Sequence, residues 1–484
     1  MASRRVPLEA TTTEVKKWGR FLLLACVIGA GGVRVWAARD SFWLDEIFTY
    51  YLAREMGSVW DVVTKIRVEH HILNTVYLYL LGDQPYWFWY RLLSILSGTA
   101  AVVVIAWGTR GRGLLESLTA TWLVGMSYPL IFYSSEARGN APAVFFAVAA
   151  FFLLESYWCR REAWKVWLLW ATGVLGFLAH LSFLFVFLAL VAWSVLRELR
   201  QGRRRAEAAV EVMKCHAVPG LFFLVLYFLY VRRTTSLGGP VYPLGEILTK
   251  TLCYAVGAPE RGIGAAVGVL AATGGLACGL ARLFRNQEEA GLFYLIVLLV
   301  APAFVVALSG REYVYLRYFV VCFPFLYLLL ARMLVSFYRQ SAAGKAVFAL
   351  ALLLFSTGNL YRTSPLLSIG RGSYYEATLY LAANTPGPEI VVGSDHDFRN
   401  RMTLQFYSRH LPPGKRLVYV DFDHWPERWP DWVITHNADL THQPKPSLNV
   451  KGQIYALDRS FRYFGIDGFH WFVYRKAESA GRKP

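Results

Sequence analysis

Long apolar segments separated by short basic ones dominate the first 360 residues of the chain. A membrane-spanning helix needs about 20 mostly apolar residues. About eleven segments approach that length. Residues 164–196 form one run that is too long for one span, so a turn is expected at Ala179-His180-Leu181. The segments are 18–38, 86–108, 114–133, 141–158, 164–179, 181–196, 217–231, 263–283, 290–308, 318–335 and 346–360.

Basic residues fall in alternate connections between these segments. Lysine and arginine are enriched in cytoplasmic loops, which places the N-terminus and the basic connections in the cytoplasm. The remaining loops then face outward, including a long first outer loop at 39–85. Helical spacing in that loop predicts short helices lying at the membrane interface, and residues 244–252 predict an amphipathic helix. An odd number of spans places the tail outward as well.

The tail has a different pattern, with strand-like apolar runs and a helical segment between the first two. The predicted strands are 389–394, 416–422, 431–437 and 469–476, and the helix lies near 398–409. This order predicts a small α/β domain. The sequence therefore predicts three parts: a cytoplasmic N-terminus at 1–17, a membrane module at 18–362 and an extracytoplasmic domain at 363–484.

Composition supports a polytopic α-helical membrane protein. The 484 residues are 56% hydrophobic and 17% charged, whereas a soluble domain has about 25% charged residues. The net charge of +17 does not indicate a nucleic-acid partner, because the basic residues lie between the apolar segments. None of the six cysteines lies in the tail, so no disulfide is expected there.

The stretch SFWLDEIFTYY, residues 41–51, places two adjacent carboxylates directly after the first apolar segment. Neighbouring residues on a helix point about 100° apart, so Asp45 and Glu46 do not share one task. One carboxylate can face a cavity as a general base while the other binds or orients the substrate. The alternative is a helix N-terminus carrying acidic residues, which is common and mildly stabilising.

Two outer turns carry arginines. The first is YSSEARGN, residues 133–140. Here Arg138 either forms an ion pair with Glu136 or binds a phosphate of the substrate. In REYVYLRY, residues 311–318, Arg311 either reaches towards lipid head groups or binds substrate. Arg317, at the start of an aromatic helix, is the better phosphate candidate.

Histidines supply a third set of candidates. His70, His71 and Asn74 can donate hydrogen bonds to substrate hydroxyls, or can simply lie at the membrane interface. A double histidine can also bind a metal, but no acidic or cysteine residue lies at ligand spacing. A divalent metal is therefore not supported, and no metal ligands are assigned. His180 either joins this site or stabilises its own turn. The tail clusters SDHDF (394–398) and VDFDHW (420–425) follow predicted strands, where polar loops are expected anyway.

Taken in order, five motifs resemble the polytopic glycosyltransferases with the GT-C fold, of the protein mannosyltransferase and aminoarabinose transferase type (glycosyltransferase family 39). The resemblance covers about residues 18–340, and the ordered set is more specific than any one motif. The motifs are FWLDEIFTYYLA, HHILNTVYLYLL, YRLLSILSG, YSSEARGN and LRYFVVCFPFLYLLLA.

The resemblance implies a polyprenyl-phosphate sugar donor, an outward-facing cavity and inversion at the anomeric carbon. It places the catalytic acid on Asp45 and two arginines of the family on Arg138 and Arg317. Many relatives carry a His-Pro-Pro-Leu string where residues 69–74 read EHHILN, so the acceptor contacts do not transfer. No cofactor is assigned, and a divalent metal is possible but not supported by the sequence.

The expected partners are the lipid-linked donor, a lipid, glycan or protein acceptor, and membrane lipids. The expected location is the bacterial cytoplasmic (inner) membrane, with the site facing the periplasm. The alternatives are a flippase or transporter, or a glycan ligase, for polyprenyl-linked saccharides.

Overall fold

The computed structural model describes residues 8–65, 71–234, 241–308 and 314–477. The candidate residues His70 and Arg311 lie outside these ranges. Nineteen α-helices occur in the described chain. They are α1 Leu8–Ala37, α2 Leu44–Arg54, α3 Val59–Thr64, α4 Ile72–Leu81, α5 Phe88–Gly108, α6 Leu114–Met126, α7 Tyr128–Tyr133, α8 Asn140–Cys159, α9 Ala163–Ala179, α10 Phe183–Arg200, α11 Arg205–Leu229, α12 Leu244–Val256, α13 Gly262–Arg285, α14 Ala290–Leu295, α15 Ala301–Leu308, α16 Phe323–Gln340, α17 Ala342–Ser368, α18 Tyr374–Ala383 and α19 Asp397–Ser408.

The apolar segments of the sequence all coincide with helical structure. Within the described ranges, seven helical stretches are long and apolar enough to cross a membrane. The others are shorter, or are interrupted by a π-helical turn at Ile296–Val300 or by the break between α6 and α7. The short helices predicted in the first outer loop and near residue 244 are confirmed as α2, α3, α4 and α12. The protein is therefore a polytopic helical membrane protein.

The chain forms two compact units. Of the described residues, the first contains those within 1–38, 56–82 and 89–363, and the second contains those within 39–55, 83–88 and 364–484. The domain boundaries predicted from the sequence remain predictions. The structure adds that α2, although it belongs to the predicted first outer loop, is part of the same unit as the tail.

In the first unit, α16 is almost entirely buried among other helices, whereas α1 and α17 expose most of their apolar side chains. Exposed apolar side chains such as Phe21, Ile28 and Leu354 suit contact with lipid tails. Helices that are all apolar enough to cross a membrane thus differ in environment, and α16 is the one surrounded by other helices.

Ion pairs lie in and beside the connections that are predicted to be cytoplasmic. Because successive helices cross the membrane in opposite directions, alternate loops lie at the same end of a bundle. The ion pairs connect the helices and loops at that end. Which side that end faces stays a prediction. The pairs are Arg112–Glu155 at 2.7 Å, Arg161–Glu198 at 2.8 Å, Arg197–Glu289 at 2.7 Å and Arg332–Glu288 at 2.6 Å.

The break between α6 and α7 leaves backbone groups that need partners inside the bundle. Arg34, which is 1% exposed, donates from Nη1 to the carbonyl of Gly125 and from Nη2 to that of Val124, both at 3.3 Å. Asn359 accepts the Tyr128 N–H at 2.7 Å. These contacts allow α7 to start in a new direction and to lead into residues 134–139.

The second unit contains a six-stranded sheet, which confirms the predicted α/β character of the tail. Its order is β2-β1-β3-β6-β5-β4, with β1 parallel to both β2 and β3 and the other pairs antiparallel. The strands are β1 Glu389–Ser394, β2 Arg416–Tyr419, β3 Trp432–Asn437, β4 Ser447–Val450, β5 Gln453–Phe461 and β6 His470–Lys476.

The hairpin of β4 and β5 is not predicted from the sequence. Its two-residue loop is Lys451-Gly452, and both residues have positive φ, 50° and 88°. Lysine is uncommon at such a position, so the usual Asn-Gly or Asp-Gly signal is absent. The core of the sheet includes Trp425, whose indole lies where a side chain at Gly393 would be.

Candidate functional site

The two carboxylates of α2 have different surroundings. Glu46 is fully buried, and its carboxylate accepts the backbone N–H of Trp43 at 3.2 Å, which satisfies a donor at the start of the helix. Asp45 is partly exposed. Glu46 therefore has a structural role, and Asp45 is the carboxylate that the helix leaves accessible.

The turn at residues 134–139 is held by side chains of two other helices. Asn74, at the start of α4 and fully buried, donates from Nδ2 to the carbonyl of Ala137 at 2.7 Å. Ser94 of α5 donates to the carbonyl of Arg138 at 2.9 Å. A buried turn needs such partners for its backbone carbonyls, so these bonds fix the backbone that carries Glu136 and Arg138. Both of those side chains are buried.

His71 lies between two donors. Its Nδ1 lies 3.2 Å from the backbone nitrogen of Gly139, and its Nε2 lies 3.0 Å from Nη2 of Arg138. A neutral imidazole has one acceptor nitrogen. The ring accepts at Nε2 from Arg138 or at Nδ1 from Gly139, according to its tautomer. Either way, His71 lies against the buried guanidinium of Arg138, a group that suits the binding of an anionic oxygen.

A row of rings extends from this pair. The ring centroids of His71 and His180 are 4.9 Å apart, and those of His180 and Tyr318 are 6.3 Å apart. Nδ1 of His180 accepts the Ser182 N–H at 3.0 Å, which fixes its ring in the turn between α9 and α10. Arg317 lies next in sequence to Tyr318, and its guanidinium is 4.5 Å from the centroid of the Tyr315 ring.

Gly139 permits the close packing of this region. A Cβ at this position would collide with the carbonyl oxygen of Ala179 and would lie 2.8 Å from Nδ1 of His71. No Cβ contact is normally that short, so the turn, His71 and the end of α9 meet only because residue 139 lacks a side chain.

The structure thus gathers four predicted residues in the first unit: His71, Asn74, Arg138 and His180. Glu136 belongs to the same turn, and Arg317 neighbours the ring row. Asp45 and Glu46 belong to the second unit, and the shared use of Asp45 and Arg138 stays a prediction. Within the described ranges, no three His, Cys, Asp or Glu residues form a group that could hold a metal ion.

The residues that support this arrangement are not among the candidates predicted from the sequence. They are Ser94, Gly139 and Arg34. Gly139 follows Arg138 directly in the YSSEARGN motif, and Arg34 is a charge inside an apolar segment, which is a recognised functional signal. Ser94 gives no such signal, because serine is common in membrane helices.

Comparison with solved structures defines the class of this fold. The chain is similar to ArnT from Cupriavidus metallidurans in the apo state, with 15% identity, TM-score 0.53, and coverage of 87% of this chain and 93% of that chain. The chain is also similar to ArnT from Cupriavidus metallidurans bound to undecaprenyl phosphate, with 15% identity and a TM-score of 0.52. The match covers 96% of this chain and 99% of that chain.

A third similar structure is the archaeal oligosaccharyltransferase AglB from Archaeoglobus fulgidus in complex with an inhibitory peptide and a dolichol-phosphate. Identity is 12%, the TM-score is 0.50, and coverage is 87% of this chain and 69% of that chain. No family model and no curated protein matches the chain. At these identities the likeness is one of fold, and the chain has the GT-C fold.

Proposed function

We propose that this protein is an inverting glycosyltransferase that moves a sugar from a polyprenyl-phosphate carrier to an acceptor hydroxyl. The observation that carries the proposal is the buried guanidinium of Arg138 in a GT-C bundle, with its Nη2 3.0 Å from Nε2 of His71. A guanidinium held in this way suits the phosphate of a lipid carrier. The ArnT structure with undecaprenyl phosphate supports a carrier of the same chemical class.

Arg138 and Arg317 bind the phosphate in this proposal. A guanidinium group holds a phosphate through paired hydrogen bonds. Because both groups stay positively charged, they also stabilise the negative charge of the departing polyprenyl phosphate. The leaving group therefore needs no general acid.

Asp45 is the general base. It accepts the proton of the acceptor hydroxyl while that oxygen bonds to the anomeric carbon of the sugar. The bond from that carbon to the phosphate oxygen breaks on the opposite side, which inverts the anomeric centre. Glu136, His180, His71 and Asn74 are candidates for contacts to the sugar and the phosphate.

The site lies at the end of the bundle opposite the ion-paired basic connections. We place it on the periplasmic face of a bacterial inner membrane, because the positive-inside rule assigns the basic end to the cytoplasm. Lipid, glycan and protein hydroxyls are all open as acceptors.

The test uses purified protein in nanodiscs with a panel of synthetic undecaprenyl-phosphate hexoses and pentoses, and with envelope extracts as acceptors. Transfer releases undecaprenyl phosphate only when an acceptor is present. We expect Asp45→Asn to lower turnover about 10²–10⁴-fold and Arg138→Met to weaken binding of undecaprenyl phosphate. Turnover of Asp45→Asn equal to that of the unsubstituted protein overturns the mechanism.

The likeness to AglB favours a glycan ligase as the second candidate, since that structure is an oligosaccharyltransferase. The chemistry at Asp45 and Arg138 is the same, and the transferred unit is an oligosaccharide. Turnover with oligosaccharide carriers and none with single-sugar carriers would favour the ligase.

A further inference from the structure

The second unit contains both the α/β tail and α2, the helix that carries Asp45. Aromatic side chains join α2 and its lead-in to α19. The Phe42 ring stacks on that of Phe406 with centroids 5.5 Å apart, and Tyr50 meets the same ring edge-on at 5.5 Å. Phe48 lies against Phe398 at 6.4 Å. One face of α2 is therefore covered by residues about 350 positions later in the chain.

Polar bonds hold the segment that leads into α2. The buried guanidinium of Arg371 lies 3.1 Å and 3.2 Å from the two carboxylate oxygens of Asp40. The backbone N–H of Arg371 donates to Asp40 at 2.7 Å. Two residues further on, the hydroxyl of Tyr407 donates to the carbonyl of Phe42 at 2.7 Å. The lead-in is thus bonded to the tail at two points before the helix starts.

The C-terminal half of α2 is held as well. Arg409 donates from Nη1 to the hydroxyl of Tyr50 at 2.8 Å, and its guanidinium lies 5.3 Å from the centroid of the Tyr50 ring. The Tyr50 hydroxyl in turn donates to Asp83, which precedes α5. Contacts at both ends of a helix fix its axis and its rotation together.

We propose that the α/β tail, residues 364–484, positions the catalytic carboxylate of Asp45 on α2. Its positioning residues are Arg371, Tyr407 and Arg409. The inference rests on the proposed function, in which Asp45 is the general base. Glu46 is buried and bonded to the helix start, and the anchored helix leaves Asp45 partly exposed. A misplacement of about 1 Å at a reacting group is enough to lower a rate about 100-fold, and rigid support of this kind prevents it.

The alternative is that these contacts only stabilise the fold of the second unit. The positioning and the purely structural hypotheses predict different effects of a conservative substitution. A positioning contact loosens α2 alone and lowers kcat, whereas a purely structural contact loosens the sheet together with α2.

The experiment compares Tyr407→Phe with Tyr375→Phe by hydrogen–deuterium exchange of the full-length protein. Each substitution removes one hydroxyl and keeps the ring. The Tyr375 hydroxyl makes no hydrogen bond among the described residues, and its ring lies next to that of Tyr407, at 5.7 Å. We expect Tyr407→Phe to speed exchange in peptides covering residues 41–54 about threefold to tenfold. Exchange in β1, β3 and β6 should stay unchanged, and Tyr375→Phe should change neither region.

Kinetics with the undecaprenyl-phosphate sugar panel adds a second measurement. Tyr407→Phe should lower kcat and leave KM for the donor unchanged, while Tyr375→Phe leaves both unchanged. Unaltered exchange in residues 41–54, or equal acceleration throughout the sheet, overturns the inference. Because exchange is measured without substrate, its result stands whether or not Asp45→Asn supports the proposed reaction.

Discussion

At the residue scale, the structure separates two carboxylates that the sequence shows side by side. The sequence predicts that Asp45 and Glu46 point in different directions, because adjacent helical positions differ by about 100°. It does not predict which of them is buried. That depends on the bond from Glu46 to the Trp43 N–H and on the packing around α2, both of which are tertiary features.

This difference gives the first prediction. Glu46→Ala removes a cap and leaves a buried space, so it should lower stability by about 0.5–2 kcal/mol. Asp45→Ala, at a partly exposed position, should cost less. Thermal unfolding of both variants in the same detergent measures the difference. Equal losses would mean that the two carboxylates have equivalent structural roles.

Gly139 gives a second prediction. Gly139→Ala should displace the turn that carries Arg138, because its Cβ would collide with the carbonyl of Ala179. We expect weaker binding of undecaprenyl phosphate, measured by titration in nanodiscs. Gly32→Ala is the matched control, since no neighbouring atom of the described residues lies within 4 Å of a Cβ there. Equal affinity for undecaprenyl phosphate in the two variants would mean that the turn at 134–139 does not form part of the phosphate-binding site.

At the element scale, the helices were readily predicted because apolar length is a strong signal. Their interruptions were not, because a broken helix depends on partners elsewhere in the chain. Arg34 and Asn359 supply those partners between α6 and α7. The candidate site is similar: the sequence gives its residue types, but the joining of α4, the 134–139 turn and the α9–α10 turn depends on bonds distant in sequence.

Arg34 provides the prediction at this scale. Arg34→Met leaves the carbonyls of Val124 and Gly125 without their donor inside the bundle, and an unsatisfied buried polar group costs about 1–3 kcal/mol. We expect a lower Tm and weaker undecaprenyl-phosphate binding, because the turn at 134–139 follows the break. Arg285→Met, at an exposed position, is the control. A Tm equal to that of the control would contradict the assigned role.

At the scale of the whole molecule, the tail was correctly predicted as a small α/β domain, but its relation to α2 was not. No pattern in residues 41–51 indicates that Phe406, Tyr407 and Arg409 pack against them. Aromatic residues beside a membrane segment usually indicate the lipid interface. Here Phe42 and Tyr50 contact a helix of the tail instead.

The second unit should lose stability in acid. Burial lowers the pKa of His396, His410 and His470 in the folded chain, and the guanidinium of Arg409 adds to the lowering at His410. Below about pH 6.5 the unfolded chain therefore binds more protons than the folded one. The contribution of the neutral histidines to the free energy of unfolding is complete above that pH. It is lost as the pH falls through the lowered pKa values of the folded chain.

We expect the unfolding transition of this unit, followed in the full-length protein by calorimetry, to occur at a lower temperature at about pH 5 than at about pH 7.5. His410→Gln should reduce that difference. A transition that does not change with pH, or one that rises in acid, would contradict the assignment.

The proposed function depends on two roles: Arg138 and Arg317 bind the phosphate of the donor, and Asp45 acts as the general base. The most direct measurement is a cryo-electron microscopy structure of the full-length protein in nanodiscs with undecaprenyl phosphate. The account predicts the phosphate within hydrogen-bond distance of Arg138 and His71, with Asp45 facing the same cavity. A phosphate bound away from Arg138, or a cavity that excludes Asp45, would contradict it.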